Sequence, residues 1–151
     1  MSLSSVAEVK NRFAGKKIVF TNGVFDILHA GHVGYLQRAR ELGDVLVVGL
    51  NSDASVRMLG KGPNRPVHTL EDRAVVLAAL RCVDAVISFE EQTPERLIGE
   101  LRPDIHVKGG DYRPEDLPEK KVIDAYGGEI VIMPLLEGRS TTSALKKLGA
   151  E

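Results

Sequence analysis

The chain has 151 residues, of which 43% are hydrophobic and 27% are charged, as is typical of one globular domain with a single core. Twenty basic and 21 acidic residues give a formal net charge of −1, which argues against binding to nucleic acid or to a membrane surface but is compatible with a local basic cleft. No apolar run approaches the length of a membrane span, and residues 1–13, which we expect to form a helical extension, lack the apolar centre of a signal peptide. The single cysteine, Cys82, excludes an internal disulfide. We therefore expect a cytoplasmic protein.

Five apolar runs rich in β-branched residues predict strands. Continuous runs of this kind suit a sheet that is covered on both faces. The predicted strands are Lys17–Thr21, Asp44–Leu50, Asp84–Phe89, Ile105–Lys108 and Glu129–Met133.

Helical patterns lie between and after these runs. The predicted helices are Val33–Leu42, Leu70–Leu80, Glu95–Leu101, Glu119–Tyr126 and Thr142–Leu148. Thr93 and Pro94 predict an N-cap followed by proline at the first helical position. Each connection is long enough for a crossover helix, so the strands should be parallel. The sequence predicts an α/β, doubly wound sheet of about five strands with helices on both faces, in one domain over residues 1–151.

Polar or glycine-rich segments follow four of the five predicted strands. Parallel sheets bind ligands beyond the carboxyl ends of their strands, so these segments predict one ligand site. They read TNGVFDILHAGH, NSDASVRMLGKG, KGGDY and PLLEGRSTTS. The basic loop Gly60–Thr69 is the longest stretch without a periodic pattern, and loops of this length are more often functional than structural.

His29 and His32 indicate phosphate as the ligand. The sequence contains neither GxxxxGK[ST] nor, after the first strand, GxGxxG. Instead the two histidines come just before a predicted helix, whose N-terminus is suited to anions. Spaced three residues apart, the imidazoles project from one face, and Gly31 between them lets a phosphate approach the backbone.

Other interpretations of single residues stay open at this point. His29 and His32 would bind zinc if Asp26 supplied a third ligand, as in a metal hydrolase. His68 and His106 are expected to be surface or satisfied core residues, and Cys82 a small apolar core residue. Gly109-Gly110 suits a plain turn, and Ser140 to Thr142 suit an N-cap that is compatible with phosphate binding. Solvated charges would equally explain Arg57, Arg65 and Arg73.

The stretch FTNGVFDILHAGHVGYL resembles the signature of the HxGH nucleotidyltransferases, a Rossmann-like superfamily. The segments VGLNSDASVRMLGKGPNRPVH, VKGGDY and EGRSTTSALKKL resemble more specifically the adenylyltransferase domain of D-glycero-D-manno-heptose 1-phosphate adenylyltransferases. The resemblance runs from about Ala14 to Leu148. It implies transfer of AMP from ATP to a sugar 1-phosphate, with pyrophosphate as the second product. Mg²⁺ would be bound through the ATP phosphates.

Three positions bear on the branch of the superfamily. Val24 stands where related cytidylyltransferases usually have threonine, and Leu135 where they usually have arginine. Both differences weaken a cytidylyltransferase interpretation. Arg139 stands where the heptose family often has cysteine or another small residue, and it either alters the choice of acceptor or points to solvent.

The resemblance also implies roles for individual residues. As catalytic residues it implies His29, His32 and Lys61. As nucleotide-binding residues, besides the two histidines, it implies Asn22, Gly23, Phe25, Arg73, Lys108, Gly110, Asp111, Ser140 and Thr141. As substrate-binding residues it implies Asp26, which we expect to orient its loop, with Asn51, Asp53, Lys61 and Arg65. No residue is expected to ligate a metal directly.

Alternative functions follow from the same motifs. They are a cytidylyltransferase acting on glycerol 3-phosphate or an amino-alcohol phosphate, an FMN adenylyltransferase, and a nucleotide-binding sensor without activity. The heptose adenylyltransferase domain is often fused to a sugar kinase, for which this chain has no room, so we expect a stand-alone transferase. Family habit and exposed sheet edges suggest a homodimer, with no nucleic-acid or membrane partner.

Overall fold

The computed structural model describes residues 2–134 and 145–149. The elements in chain order are α1 (Val6–Arg12), β1 (Ile18–Gly23), α2 (Ala30–Arg40), β2 (Val45–Asn51), α3 (Asp53–Met58), α4 (Leu70–Ala78), β3 (Ala85–Phe89), α5 (Glu95–Leu101), β4 (Ile105–Gly109), a 3₁₀ turn (Pro114–Asp116), α6 (Lys120–Tyr126) and β5 (Glu129–Met133). Among the described residues, no helix is long and apolar enough to cross a membrane.

The five strands form one parallel sheet in the order β3-β2-β1-β4-β5. The chain runs outward from β1 to β3, then crosses back to place β4 on the other side of β1. The strand order therefore reverses between β1 and β4, where α/β sheets bind their ligands. The predicted α/β, doubly wound fold is confirmed.

Helices α2 and α4 cover one face of the sheet. Alternate residues of each strand point to this face, because side chains on a strand alternate with a period of two. Its core residues include Leu36 and Ala39 of α2, Ala74 and Leu77 of α4, and Val19, Leu46, Val48, Val86 and Val107 of the strands.

Helices α1, α5 and α6 cover the opposite face. The strand residues that alternate with those of the first face point to this side and pack against these three helices. They include Val9 of α1, Leu97, Ile98 and Leu101 of α5, Ile123 of α6, and Phe20, Val47 and Ile87 of the strands. His106 of β4 lies on this face as well, with its ring stacked on Phe20 at a centroid distance of 5.6 Å.

Three aspartates fix the strands at the amino edge of the sheet. Asp44, Asp84 and Asp104 each stand one residue before a strand. Their carboxylates accept the backbone N–H of Lys17 at 2.7 Å, of Leu46 at 2.8 Å and of Ile18 at 2.8 Å, respectively. Each bond joins one strand to its neighbour and satisfies an amide at the edge of the sheet.

The helix ends differ from the predictions in several places. The N-cap of α5 is Pro94, not Thr93, and it makes no side-chain hydrogen bond, while the Thr93 hydroxyl donates to the Glu95 carboxylate instead. Helix α2 starts at Ala30, so the HAGH motif forms its cap and first turn. Helix α3 is capped by Ser52 and was not predicted. Residues 145–147 are helical, and the rest of the predicted helix Thr142–Leu148 lies outside the described residues.

Candidate active site

A cleft of about 440 Å³ opens beyond the carboxyl ends of β1, β2 and β4. It therefore lies at the point where the strand order reverses. Five of the predicted site residues line it, namely Asn22, Gly23, Asn51, Lys61 and Lys108. The wall is completed by Val24, Leu59, Gln92, Thr93, Pro94, Tyr112, Asp116, Leu117, Pro118 and Glu119.

The polar groups of the cleft suit a phosphorylated ligand. Lys61 is exposed on the loop after α3, and Lys108 projects from β4, so two cations face one space. The ammonium group of Lys108 lies 5.2 Å from the centre of the Tyr112 ring, as in a cation–π contact. The buried Oδ1 of Asn22 has no hydrogen-bond partner among the described residues, so this amide retains bonding capacity for a substrate.

His29 and His32 form the N-terminus of α2. The Nδ1 of His29 accepts the N–H of Gly31 at 3.1 Å, and the Nδ1 of His32 accepts the N–H of His29 at 3.3 Å. Since each Nδ1 is an acceptor, the proton of each neutral imidazole is carried by Nε2. The capping bonds thus make both rings donors through Nε2, beside the positive end of the helix.

The surroundings of His32 keep its imidazole neutral. Burial and the adjacent charge of His29 lower the pKa of His32 to about 4. The two rings stack, and the Phe25 ring meets His32 edge-on at a centroid distance of 5.2 Å. His32 can therefore offer a hydrogen bond to a phosphate oxygen over the whole physiological pH range.

Phe25 connects the histidines to the cleft. This residue adopts a left-handed conformation, with φ of 47°, two residues after the end of β1. A Cβ atom on Gly23 would lie 2.9 Å from Cε2 of the Phe25 ring, so glycine is needed for this close approach. The contacts run in order from Gly23 at the cleft through Phe25 to His32.

Asp26 is a structural brace. Its buried carboxylate accepts Nε of Arg65 at 2.7 Å, and also the backbone N–H groups of Val67 and His68. Burial raises the pKa of Asp26, but the bonds from His68, Val67 and Arg65 outweigh it, and the pKa lies below its usual value. These bonds agree with the expected role of orienting the loop, and they leave Asp26 turned away from zinc ligation with the histidines.

Arg65 and Arg73 occupy positions that differ from those expected. Arg65 is only 6% exposed and is paired with Asp26, so it does not extend from a flexible loop as Lys61 does. Arg73 is 2% exposed, and its guanidinium donates to the backbone oxygens of Val24, Asn51 and His68 and to the Asp53 carboxylate. Both arginines therefore join loops beneath the site, and the phosphate and substrate contacts predicted for them and for Asp53 stay predictions.

Gly110 and Asp111 lie outside the cleft lining. Gly110 has a φ of 114°, which requires glycine, and its N–H bonds to the backbone of Met133. Asp111 is exposed beside it. Ser140 and Thr141, together with Leu135 and Arg139, lie outside the described residues.

The two histidines to which the sequence assigned no ligand, His68 and His106, differ in burial. His68 is exposed, as expected, whereas His106 is fully buried and bonded to Glu119, a residue of the cleft wall. Nothing in the sequence singled out Glu119, because its partner is 13 residues away and the two meet only in the folded sheet. Cys82 is only part-buried, at the edge of the core, where burial raises the pKa of its thiol.

Comparison with known families matches residues 20–134 to the cytidylyltransferase-like family. The chain belongs to this family. It is 58% identical over 133 residues to the D-beta-D-heptose 1-phosphate adenylyltransferase of Bordetella bronchiseptica, covering 88% of this chain and 82% of that protein. It is 56% identical over 147 residues to the bifunctional protein HldE of Syntrophotalea carbinolica, covering 97% of this chain and 30% of that protein. The chain thus spans about a third of the length of such bifunctional relatives.

Solved structures agree with this assignment. The lipopolysaccharide core biosynthesis protein from Thermoplasma volcanium superposes with a TM-score of 0.66 at 32% identity, covering 81% of this chain and 98% of that one. Pantoate-beta-alanine ligase from Francisella tularensis superposes with a TM-score of 0.60 at 16% identity, which shows a shared fold alone. The resemblance to a nucleotidyltransferase family found in the sequence is confirmed.

Proposed function

We propose that the chain transfers AMP from ATP to a heptose 1-phosphate, giving an ADP-sugar and pyrophosphate. The observation that carries this proposal is the stacked pair of imidazoles at the N-terminus of α2, linked through Phe25 to a cleft with two lysines. The choice of adenylyl group and of heptose is supported by the name of the Bordetella relative, of which this chain covers 82% at 58% identity.

The proposed reaction is a direct displacement at the α-phosphorus. An oxygen of the sugar phosphate forms a bond to the α-phosphorus, and the bond from that phosphorus to the bridging oxygen of pyrophosphate breaks. The attacking phosphate is already ionised at neutral pH, so no general base is needed. The task of the protein is to align the two phosphates and to offset the growing charge.

The described residues suit this task. His29 and His32 donate from Nε2 to ATP phosphate oxygens, and at least one of these bonds strengthens as charge grows at the α-phosphate. Lys61, on the exposed loop, and Lys108, on the rigid strand β4, neutralise phosphate charge in the cleft. Asn22 contributes the hydrogen bonds of its amide, and the buried braces of Arg65 and Arg73 keep the loops in place.

The proposal is compatible with Mg²⁺ that enters the site bound to ATP. Among the described residues, no group of three or more His, Cys, Asp or Glu is arranged to hold a metal ion. A Mg²⁺ ion that would be bound through the phosphates of ATP requires no such group. When bound, it would neutralise charge on the leaving pyrophosphate, while the imidazoles act at the α-phosphate.

We also propose a cytoplasmic homodimer. Val67, Val75 and Val76 are 46%, 57% and 49% exposed, and the last two line an apolar pocket of about 460 Å³ beside Ile27 and Leu28. Exposed apolar groups of this kind often form subunit contacts. Light scattering on the purified protein tests the dimer, and the double variant Val75→Glu/Val76→Glu should then give monomers. ATP and a sugar phosphate are substrates found in the cytoplasm.

A pyrophosphate-release screen tests the proposed activity. Purified protein with Mg²⁺ is given ATP or CTP, crossed with heptose 1-phosphate, hexose 1-phosphate, glycerol 3-phosphate and FMN. Pyrophosphate is expected with ATP and heptose 1-phosphate. A preference for CTP with glycerol 3-phosphate, or for ATP with FMN, would replace the proposal by one of the other transferases. ATP binding without pyrophosphate from any acceptor would indicate a sensor.

A further inference from the structure

Glu119 is a buried acidic residue in the wall of the cleft that the proposed reaction does not use. It is only 1% exposed, yet it lines the cleft together with Lys108 and Asn22. It stands at the start of α6, immediately before Lys120. A carboxylate withdrawn from water is costly unless it is paired, so its retention here calls for an explanation.

His106 holds this carboxylate in place. Its Nε2 lies 3.2 Å from Oε1 of Glu119, and the imidazole is fully buried against Phe20. The Nδ1 of His106 has no hydrogen-bond partner among the described residues. The ring proton therefore belongs on Nε2, where it is donated to Glu119. An apolar side chain would fill this core position without leaving a buried nitrogen unpaired, so the imidazole is better explained by what it holds.

The charge state of Glu119 makes it an acceptor. Burial raises the pKa of Glu119. The hydrogen bond from His106, the residue's own backbone N–H and the nearby charges of His106 and Lys108 outweigh this, and the pKa lies below its usual value. The carboxylate is thus ionised at neutral pH. It repels phosphate groups and accepts hydrogen bonds from hydroxyl groups, whereas Lys61 and Lys108 attract phosphate.

We propose that Glu119, oriented by His106, is a specificity-determining residue that accepts hydrogen bonds from a vicinal diol of the substrate held in the cleft. The inference rests on the proposed function, whose two substrates both carry such a diol, one in the ribose of ATP and one in the acceptor sugar. In this arrangement the phosphate of the bound substrate lies toward the two lysines, and its hydroxyl groups lie toward the carboxylate.

The test compares Glu119→Gln with Glu115→Gln in the pyrophosphate-release assay. Glutamine keeps an acceptor for His106 but removes the charge from the acceptor facing the diol. Glu115 is a matched control, because it lies one short turn away with a side chain 65% exposed and outside the cleft lining. For Glu119→Gln we expect KM for one substrate to rise about 10-fold, with kcat within about 3-fold of the wild type. The control should leave both constants unchanged.

Two arms identify the source of the diol. If it is the ribose, KM for ATP rises, and the wild type handles 2′-deoxy-ATP as poorly as Glu119→Gln handles ATP. If it is the acceptor, KM for the sugar phosphate rises, and 2′-deoxy-ATP affects both proteins equally. Unchanged KM for both substrates in Glu119→Gln overturns the proposal.

A second variant guards against a loss of folding. His106→Leu/Glu119→Met removes the whole buried pair, and such replacements by apolar residues are commonly tolerated. It should show the same rise in KM, and a folded double variant with both KM values unchanged also overturns the proposal. If the wild type releases no pyrophosphate, that result contradicts the proposed function but does not test the diol site. Titration calorimetry with ATP and with heptose 1-phosphate then tests the diol site. Equal Kd values for the wild type and Glu119→Gln overturn it, and so does the absence of binding to either protein.

Discussion

The rings of His29 and His32 stack with their centroids 3.8 Å apart and their planes 25° from parallel. Two imidazolium ions at this distance would repel each other strongly, so the pair cannot carry two full charges at low cost. The capping bonds to Nδ1 already select the tautomer that donates from Nε2. The helix thus presents two Nε2–H donors side by side, preorganised before any substrate binds.

Replacing His32 by alanine should lower kcat about 10²–10³-fold, because one donor to the transition state is lost. The fold should persist, since the ring is only part-buried and alanine is well tolerated in the first turn of a helix. Steady-state kinetics and circular dichroism measure the two effects. His68→Ala is the matched control, as its side chain is exposed and outside the pair. Turnover near the wild-type rate in His32→Ala would remove His32 from the proposed mechanism.

His32 should make stability depend on pH in acid. Its pKa is about 4 in the folded chain and 6.5 without the fold, so the unfolded state binds more protons between these values. The free energy of unfolding is therefore unaffected above about pH 6.5 and falls as pH drops toward 4, by roughly 2 kcal/mol after allowance for the part-exposed ring. Urea unfolding at several pH values measures it. In His32→Gln this part of the pH dependence should be absent, and identical curves for both proteins would contradict the assignment.

Lys61→Ala should act on binding rather than on folding. The side chain is exposed and faces the cleft, so its loss should raise KM for one phosphorylated substrate about 10-fold while leaving Tm unchanged. Lys16→Ala, an exposed lysine in the turn before β1, is the control and should change neither. A drop in Tm without a change in KM would make Lys61 a structural residue.

Arg73→Lys should act on folding rather than on binding. Lysine cannot reproduce the fixed set of bonds that Arg73 makes to three backbone oxygens and Asp53, and it leaves several of these groups unpaired. We expect a loss of about 3 kcal/mol in the free energy of unfolding, measured by denaturant titration. Arg57→Lys, on the exposed side of α3, should change it by less than about 0.5 kcal/mol. If Arg73→Lys is as stable as the wild type and only KM rises, the residue binds substrate instead.

Gly23→Ala should lower the rate through Phe25. The added Cβ would lie 2.9 Å from the Phe25 ring, which must move and release its edge contact with His32. We expect kcat to fall about 10-fold, since small displacements of catalytic groups are costly. Gly34→Ala is the control, because a Cβ there meets nothing within 4 Å on helix α2. Equal rates for the two variants would show that the ring position does not matter.

The strands could be predicted closely because each is an apolar run rich in β-branched residues, and β1 to β4 are largely buried. The sequence could not show α3, whose six residues Asp53–Met58 carry no apolar stripe and follow β2 inside a segment typical of a loop. Its signal was Ser52, which accepts the N–H of Ser55 as an N-cap should. Thr93 does not cap α5 as predicted, because its hydroxyl donates a hydrogen bond to the Glu95 carboxylate.

The site could be predicted only in part. Lys61 and Lys108 line the cleft as expected, because Lys108 lies near the carboxyl end of β4 and Lys61 lies on the loop that follows α3 at the same edge. Arg65 and Arg73 also lie near glycine-rich loops, where a cation suggests phosphate binding. Their actual partners, Asp26 and Asp53, are 39 and 20 residues away, and only the fold brings them together. Local patterns identify which residues carry charge, but not which charges are already satisfied.

The three aspartates at the amino edge of the sheet separate the part of the molecule that aligns the strands from the part that binds the ligand. Because Asp44, Asp84 and Asp104 tie neighbouring strands together there, alignment of the sheet does not depend on the loops at the other end. Outside the braces that Asp26 and Arg73 form, the loops at the other edge are then free to accumulate substitutions without loosening the scaffold. A change of acceptor would need new residues at one edge only, and a library confined to cleft-lining residues outside these braces should yield folded proteins at high frequency.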